Sequence, residues 1–318
     1  MARRGPVRVA GGRLLQALPV ILLATFIVFS LLKLVPGDIA VTLAGDNATD
    51  ARIAEIRQLY GLDRPFVLQY GAWLGKAVQG DLSQSLLTGE KVSTSIARAF
   101  PNTLLIVAIA LVLALATGIP MGIVAAVKPN GWLDKSVSLV ASLGIAIPGF
   151  WLAMILVAEI SLKLNWLPAT GAKSLAASPW EAIRHALLPG IAIAAYGMAE
   201  VARQLRGSLL EVLSSQYVRT LHAKGLSTTR ILWQHGLKNV SVNLFTIISL
   251  LVNRMLAATV VIEAVFAIPG LGSLIVRGAI QRDFPIVQGV VFAMVIVVIL
   301  VNLVADLLCA AVDPRIEQ

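Results

Sequence analysis

Ionisable side chains inside long apolar stretches are the first candidates for chemistry in this sequence. Glu159, Arg254 and Glu263 are the three clearest cases. A charge within a membrane-spanning segment costs about 2.5–3.5 kcal/mol on insertion scales, so such residues usually face protein or water. Arg254 and Glu263 lie about half a turn out of phase and cannot pair on one helix. Glu263 falls near the end of its stretch, where water could solvate it, and Asn302 and Asp306 share a helical face. We expect structural roles for these residues, with Arg254 equally suited to lining a pathway or the helix bundle.

No set of residues in this sequence has the spacing of a catalytic or metal site. The histidines form no HExxH pattern and lie in loops or at the edges of apolar stretches, and the chain lacks a Walker A loop. A single cysteine excludes an internal disulfide. The sequence therefore predicts no catalytic, cofactor or metal site and a protein that is not an enzyme by itself; the residues in question are His185, His222, His235 and Cys309.

Composition places the chain in a membrane. Of 318 residues, 58% are hydrophobic and 14% charged, whereas soluble domains are about 45–50% apolar and about 25% charged. The apolar residues are grouped in blocks long enough to cross a bilayer. The net charge of +9 comes from cations between those blocks, which the positive-inside rule explains without a nucleic-acid partner.

Six segments are predicted to span the membrane, which makes the fold class all-α and polytopic. Lys and Arg concentrate in alternate connections, so both termini are expected on the inside. The first segment exceeds a signal-peptide core and is expected to stay uncleaved. Pro101 and Pro285 are predicted at helix starts, whereas Pro120 and Pro148 should kink their helices, mainly for packing rather than gating. The segments are 14–35, 103–127, 136–162, 186–202, 241–266 and 286–311.

The predicted organisation has three parts: residues 1–35, an outer helical region at 36–100 and a five-helix core at 101–318. Within 36–100, residues 51–60 and 66–78 have helical periodicity. Tyr70 and Trp73 are candidates to rest at the membrane interface.

Residues 209–240 form the most informative connection. Apolar residues at helical spacing lead to Gly225, which can adopt the left-handed conformation that ends a helix, with apolar Leu226 just beyond. Ser227 can then cap a second helix. This helix–glycine–helix segment, termed the knuckle, could enter a groove on a partner or simply cover the ends of the spans. The helical positions are Leu213, Tyr217, Leu221 and Lys224 before the glycine, and Ile231, Leu232 and Leu237 after it.

Short motifs in this segment closely resemble the cytoplasmic loop of binding-protein-dependent ATP-binding-cassette (ABC) importer permeases, specifically the B subunit of the dipeptide/oligopeptide/nickel type. The loop motifs are Tyr217-Val218-Arg219-Thr220, Ala223-Lys224-Gly225-Leu226-Ser227 and His235-Gly236-Leu237-Lys238-Asn239. Others occur in order along the chain: 34–38, 60–65, 80–85, 100–104, 147–152, 185–189, 263–272, 282–285 and 313–315. Two departures are Arg219-Thr220-Leu221 in place of the family's Glu-Ala-Ala and the replacement of its Ile and Pro by His235 and Lys238.

The resemblance implies a permease subunit in the inner membrane of a bacterium or archaeon. It implies four kinds of partner: a second permease, two cytoplasmic ATPase domains that bind ATP and Mg, a solute-binding protein outside, and the lipid bilayer. Peptides are the expected cargo, with nickel, a metallophore, glutathione or another small solute as alternatives. An ion-coupled secondary transporter is a more distant alternative, although the inverted repeats and acid relays typical of that class are not apparent. The implied ATPase-coupling residues are Tyr217, Arg219, Ala223, Lys224, Gly225, Leu226, Ser227 and Leu237.

Overall fold

The regular elements of the described chain are helices. The computed structural model describes residues 6–34, 40–41, 49–59, 61 and 63–312, so the motifs at 34–38, 60–65 and 313–315 lie partly or wholly outside it. The helices are α1 (Pro6–Leu34), α2 (Asp50–Leu59), α3 (Phe66–Val78), α4 (Val92–Val127), α5 (Trp132–Ala146), α6 (Gly149–Leu156, continued by a π-helix at Val157–Lys163), α7 (Pro179–Leu213), α8 (Gln216–Ala223), α9 (Thr228–Ile231, continued by a π-helix at Leu232–Gly236), α10 (Leu237–Val265), α11 (Leu271–Ile280) and α12 (Phe284–Val312).

Four stretches of the described chain are long and apolar enough to cross a membrane: α4, α7, α9 with α10, and α12. The pair of α5 with Gly149–Lys163 makes a fifth if it counts as one span. Helix α1 has 29 residues, and its described apolar part is Leu15–Ser30. The prediction of an all-α, multi-pass membrane protein is confirmed, and the inside location of both termini stays a prediction.

The third predicted span is broken rather than merely kinked. Ile147 and Pro148 are extended, with φ/ψ of −80°/121° and −61°/130°. Proline has no N–H to continue the helix and disfavours a helical conformation in the residue before it. The helices on either side consequently meet at 95°.

Pro101 does not begin a helix, as the sequence had suggested, but stands inside α4. Residues 92–100 are themselves helical, so the helix starts nine residues before Pro101, at Val92. Pro120 also lies within this continuous helix. Pro285, by contrast, is the second residue of α12, a position at which proline loses no helical hydrogen bond.

Two compact units can be distinguished, and the larger is built mainly from Pro101–Ser273 with Val298–Gln318. Its central helix is α7, which packs on α5, α6 and α10. Glycines permit close approach to α7: a Cβ at Gly118 or Gly122 would lie 2.8 Å from Met198 O or 2.9 Å from Ala202 O, respectively. Small residues four apart are typical of tightly packed membrane helices.

The second unit contains Leu14–Phe100 and Leu274–Val297. Its helix α3 packs against α1 through aromatic rings, and Trp73 is buried against Phe29 and Phe292. The Tyr70 hydroxyl lies 2.9 Å from Thr25 Oγ1. Trp73 is therefore buried within the protein, and the location of Tyr70 and Trp73 at a membrane interface stays a prediction.

Polar contacts organise the loop before α4 within this second unit. Buried Asp283 accepts hydrogen bonds from the Ser85 hydroxyl and, at 3.1 Å, from the Leu86 N–H. The Ser95 hydroxyl donates to Glu90 at 2.7 Å, and this hydrogen bond lowers the pKa of that carboxyl below its ordinary value. The motifs at 80–85 and 282–285 are thus joined by direct side-chain bonds.

Candidate functional site

An open pocket of about 330 Å³ lies at the break between α5 and α6, within the larger unit. Its walls come from the extended segment itself, from α7 and from α10. Among its lining residues, Arg254 is the charged one, and Tyr196 is the other with a polar side-chain group. The apolar lining includes Ile147, Phe150, Ile193, Leu251, Met255 and Ile262.

Arg254 is held in this pocket by Tyr196. A guanidinium N–H of Arg254 donates to the Tyr196 hydroxyl, and the guanidinium carbon lies 5.7 Å from the centre of the tyrosine ring. A cation over an aromatic ring within about 6 Å is attracted by the electrons of the ring face. The structure thus gives Arg254 both a bundle contact, with α7, and a place in an open pocket.

Glu263, expected to be accessible to water, is completely buried instead. Its carboxylate accepts hydrogen bonds from Thr103 Oγ1 at 2.6 Å and from the Ser273 N–H at 2.8 Å. The same Thr103 hydroxyl accepts from the Leu271 N–H at 2.8 Å. The turn after α10 wraps around the carboxylate, which explains the burial and gives Glu263 a structural role that the sequence alone did not locate.

The remaining polar candidates divide between an exposed pair and a second pocket. Glu159 forms an exposed ion pair with Lys163 at 2.9 Å. Asn302 Oδ1 accepts hydrogen bonds from Ser249 Oγ at 2.7 Å and from Asn253 Nδ2 at 3.0 Å. These three residues and Asp306 line an open pocket of about 300 Å³. The shared face of Asn302 and Asp306 is confirmed, and the polar partners of Asn302 come from α10.

The knuckle has the geometry that the sequence predicted around Gly225. This residue has φ +83°, and its N–H donates to His222 O at 2.9 Å while the Leu226 N–H donates to Leu221 O at 3.2 Å. The two bonds form a Schellman motif, which closes the end of α8. The Ser227 side chain then accepts from the Arg230 N–H at 3.4 Å, so Ser227 caps α9.

The helix before Gly225 is shorter than its periodicity suggested. Leu213 ends α7, and α8 begins at Gln216. Ser215 interrupts the pattern because its side chain accepts from the Val218 N–H at 3.4 Å, which makes it an N-cap. Serine competes with the helical backbone through such local bonds, and this favours a break over continuation.

Buried apolar side chains anchor the knuckle to α7. Ile231 is fully buried, and Leu232 packs in a cluster with Leu205, Leu209 and Val240. The Tyr217 hydroxyl and His235 Nδ1 lie 2.9 Å apart, which ties α8 to the segment after α9. The predicted coupling residues are placed together on one segment: Tyr217, Arg219, Ala223, Lys224, Gly225 and Ser227 are exposed, and Leu226 and Leu237 are half-buried.

An ion pair near the knuckle was missed in the sequence. Arg206 Nε and Nη2 donate to the two carboxylate oxygens of Asp134 at 2.5 and 2.7 Å, and the Asp134 side chain is only 4% exposed. The Asn130 N–H also donates to Asp134, at 2.8 Å. The sequence signal for this ion pair was a single acid, Asp134, between Lys128 and Lys135. Its partner Arg206 lies 72 residues away in the sequence, so the pair could not be recognised there.

Comparison with known proteins identifies the family. Residues 118–318 match the sequence model described as binding-protein-dependent transport system inner membrane component. Residues 7–107 match the model for the N-terminal part of such membrane components. A crystal structure of the MetNI methionine ABC transporter in an inward-facing conformation has a TM-score of 0.58, with 18% identity. The structural alignment covers 69% of this chain and 96% of the matched MetNI chain, so the similarity supports the fold.

Three similar relatives align with 96% of this chain. A putative peptide transport system permease protein of Brucella abortus is 36% identical, and 97% of its own length is covered. The oligopeptide transport system permease protein AppB of Bacillus subtilis is also 36% identical, with 98% covered. The glutathione transport system permease protein GsiC of Escherichia coli is 38% identical, with 97% covered. The chain therefore belongs to the binding-protein-dependent transport system inner membrane components, which are multi-pass permease subunits of ABC importers.

Proposed function

We propose that this subunit forms half of a translocation pathway for a di- or oligopeptide delivered by a solute-binding protein. Relatives that cover nearly the whole chain are named as peptide, oligopeptide and dipeptide permeases. The pocket around Arg254 supports a pathway on this subunit, since it is open, largely apolar and placed at a broken helix. Broken membrane helices commonly border substrate sites in transporters.

The knuckle is the proposed docking surface for a cytoplasmic ATPase domain, and its geometry is the observation that carries the coupling role. Residues 203–240 contain six Lys or Arg residues and one acid, Glu211. The Schellman turn presents exposed Lys224 and Gly225 at the tip of a folded helical pair. A rigid, basic helical projection suits insertion into a groove on a partner.

Helix α7 gives a physical route between the pocket and the knuckle. Tyr196 and Leu213 belong to this one helix, and at 1.5 Å per residue they are about 25 Å apart along its axis. The bidentate Asp134–Arg206 pair fixes α7 to α5 close to the knuckle. ATP can drive transport only by binding one conformation of the assembly better than another, and a displaced knuckle would move α7.

The complete importer is proposed to contain a second homologous permease, two ATPase domains that bind ATP and Mg, and an external solute-binding protein. This chain supplies no catalysis in that assembly. Within it, residues 1–35 are assigned to an N-terminal tail and first span, 36–100 to an outer helical region and 101–318 to the permease core. Both termini are assigned to the cytoplasm, following the distribution of Lys and Arg.

Glutathione is a second candidate cargo, because two relatives at 38% identity are named as glutathione permeases. Nickel, a metallophore or another small solute, and more distantly ion-coupled transport, are further alternatives.

Purification of the tagged chain from its native membrane in mild detergent tests the proposal. We expect a second permease and ATPase subunits to co-purify, and a solute-binding protein that accompanies them would supply the ligands to assay. Reconstituted complexes should accumulate a tripeptide only with ATP and the binding protein. A chain that purifies alone and carries out ion-driven flux would refute the importer assignment, whereas ATP-driven uptake of glutathione or nickel but not peptides would change the cargo.

A further inference from the structure

Arg254 is a cation inside an apolar span that is exposed on this subunit, and it has no carboxylate partner in the described part of the chain. Its side-chain contacts there are the hydrogen bond and the ring contact with Tyr196. Glu263, the acid on the same helix, already accepts hydrogen bonds from Thr103 and Ser273. A neutral phenol therefore satisfies one donor of a guanidinium that carries five.

The surroundings favour an anion at this position. Arg254 lines an open pocket whose walls are largely apolar, and a charge beside such walls is costly once water is excluded unless a counter-charge or hydrogen bonds compensate it. The planar fork of a guanidinium matches the two oxygens of a carboxylate, and such charge-assisted bonds are among the strongest in proteins. In addition, Gly149 and Phe150, the first residues of α6, line the same pocket, and the amino end of a helix also attracts negative charge.

The rest of the pocket favours an apolar body attached to that anion. Aliphatic side chains and the aromatic rings of Phe150 and Tyr196 line most of it. Its volume of about 330 Å³ is near the lower end of the range for small-molecule sites, as expected if a second subunit supplies another wall.

We propose that Arg254, positioned by Tyr196, is a subsite for a carboxylate of the transported solute, with aliphatic parts of the solute against the apolar wall. Under the proposed function, on which this inference rests for the identity of the cargo, the group is the C-terminal carboxylate of a peptide. The permease itself would then discriminate a free carboxylate from an amide. The competing assignment is an ion pair between Arg254 and an acid of the second permease.

Binding to the purified permease–ATPase complex, without the solute-binding protein, tests the subsite directly. The probes are trialanine and trialanine amide, which differ only at the C-terminal group. We expect the wild-type complex to prefer trialanine and Arg254→Gln to weaken trialanine binding about ten- to hundredfold, the scale of lost charge-assisted bonds, with little effect on the amide. Arg254→Lys, which keeps the charge but not the fork, should be intermediate. Arg184→Gln, which removes a cation paired with Glu181 outside this pocket, should keep the wild-type preference.

The substitution Tyr196→Phe tests whether the tyrosine hydroxyl positions Arg254 or the ring only packs in the pocket. It removes the hydroxyl contact and keeps the ring, so the concentration for half-maximal trialanine uptake should rise several-fold with the maximal rate unchanged. A fall in maximal rate alone would contradict the positioning role.

The outcomes also separate this inference from the proposed cargo. Equal acid and amide binding in the wild type, or an unchanged ratio in Arg254→Gln, would overturn the carboxylate subsite even if peptides are transported. An acid preference that depends on Arg254, with no uptake of trialanine by the reconstituted importer, would support the subsite and refute the peptide cargo. If Arg254→Gln loses the second permease while assembled Arg254→Lys shows the wild-type acid preference, Arg254 belongs to the subunit interface and the inference fails.

Discussion

Replacement of Gly225 by valine should uncouple this permease from its ATPase without preventing insertion. Gly225 has φ +83°, and a Cβ built there would meet no heavy atom within 4 Å. The substitution therefore introduces backbone strain and no steric clash with a neighbour. An ordinary L-residue in the left-handed region costs about 1–2 kcal/mol, and a β-branched residue is more strongly disfavoured there.

The knuckle can relieve that strain if the turn at the end of α8 unwinds. Doing so sacrifices the bonds Gly225 N–H to His222 O and Leu226 N–H to Leu221 O, each worth about 1 kcal/mol net. For valine the left-handed conformation costs about 2–3 kcal/mol, which equals or exceeds the roughly 2 kcal/mol that the two bonds contribute. At 1.4 kcal/mol per factor of ten, the docking-competent population relative to the unwound one falls about 30- to 150-fold.

The assay is ATP hydrolysis by the reconstituted complex, with and without the solute-binding protein and its ligand. Gly225→Val should insert and retain the second permease but lose the ligand-stimulated component. Gly225→Asn should retain most of it, because asparagine tolerates the left-handed region. Gly89→Val is the matched control: Gly89 has φ +69° and equally open surroundings but lies outside the knuckle. Undiminished ligand-stimulated turnover in Gly225→Val, with co-purifying ATPase, would refute the coupling assignment.

Three further substitutions test the framework that holds the site. Asp134→Asn should lower the stability of the complex by about 1.5–3 kcal/mol, the value of hydrogen bonds to a charged group; the apparent unfolding temperature should fall, and an equal effect in an Arg206→Gln background would contradict direct pairing. Glu263→Gln should cost about 1–3 kcal/mol because one amide end cannot accept from its buried donor, and unchanged thermal stability would show that the carboxylate is not needed there. Gly118→Ala should cost about 1–3 kcal/mol through overpacking against Met198 O, whereas Gly75→Ala, at an exposed helical position with no heavy atom within 4 Å, should be neutral or stabilising.

Local rules were sufficient for much of the helical framework. The helices at Asp50–Leu59 and Phe66–Val78 agree within a residue with their sequence periodicity, because apolar spacing and Pro65 mark them directly. The turn at Gly225 and the cap at Ser227 were likewise predictable, since the left-handed conformation and side-chain capping depend on only a few neighbouring residues. Ser215 shows the limit of periodicity: its local cap interrupts a pattern that otherwise continues from Leu213 to Tyr217.

Contacts between distant segments could not be predicted in the same way. Glu263 looked accessible because it stands near the end of an apolar stretch, yet Thr103 and Ser273 enclose it. Asp134 and Arg206 are each unremarkable in a basic connection, and only the packing of α5 on α7 brings them together. A charge at the end of an apolar segment does not indicate by itself whether water or protein surrounds it.

Closely packed helices and a broken helix occur side by side in the larger unit, and together they could combine rigidity with movement. Gly118, Gly122 and Gly144 allow α4 and α5 to lie directly against the backbone of α7, and such close packing resists small sliding motions. The 95° break at Pro148, by contrast, leaves an extended segment beside the pocket of Arg254. Movement transmitted from the knuckle along α7 would therefore displace Tyr196 as part of a stiff element, whereas the extended segment offers backbone torsions that can absorb the change. That division would let one helix carry the displacement and the neighbouring break alter the shape of the pocket.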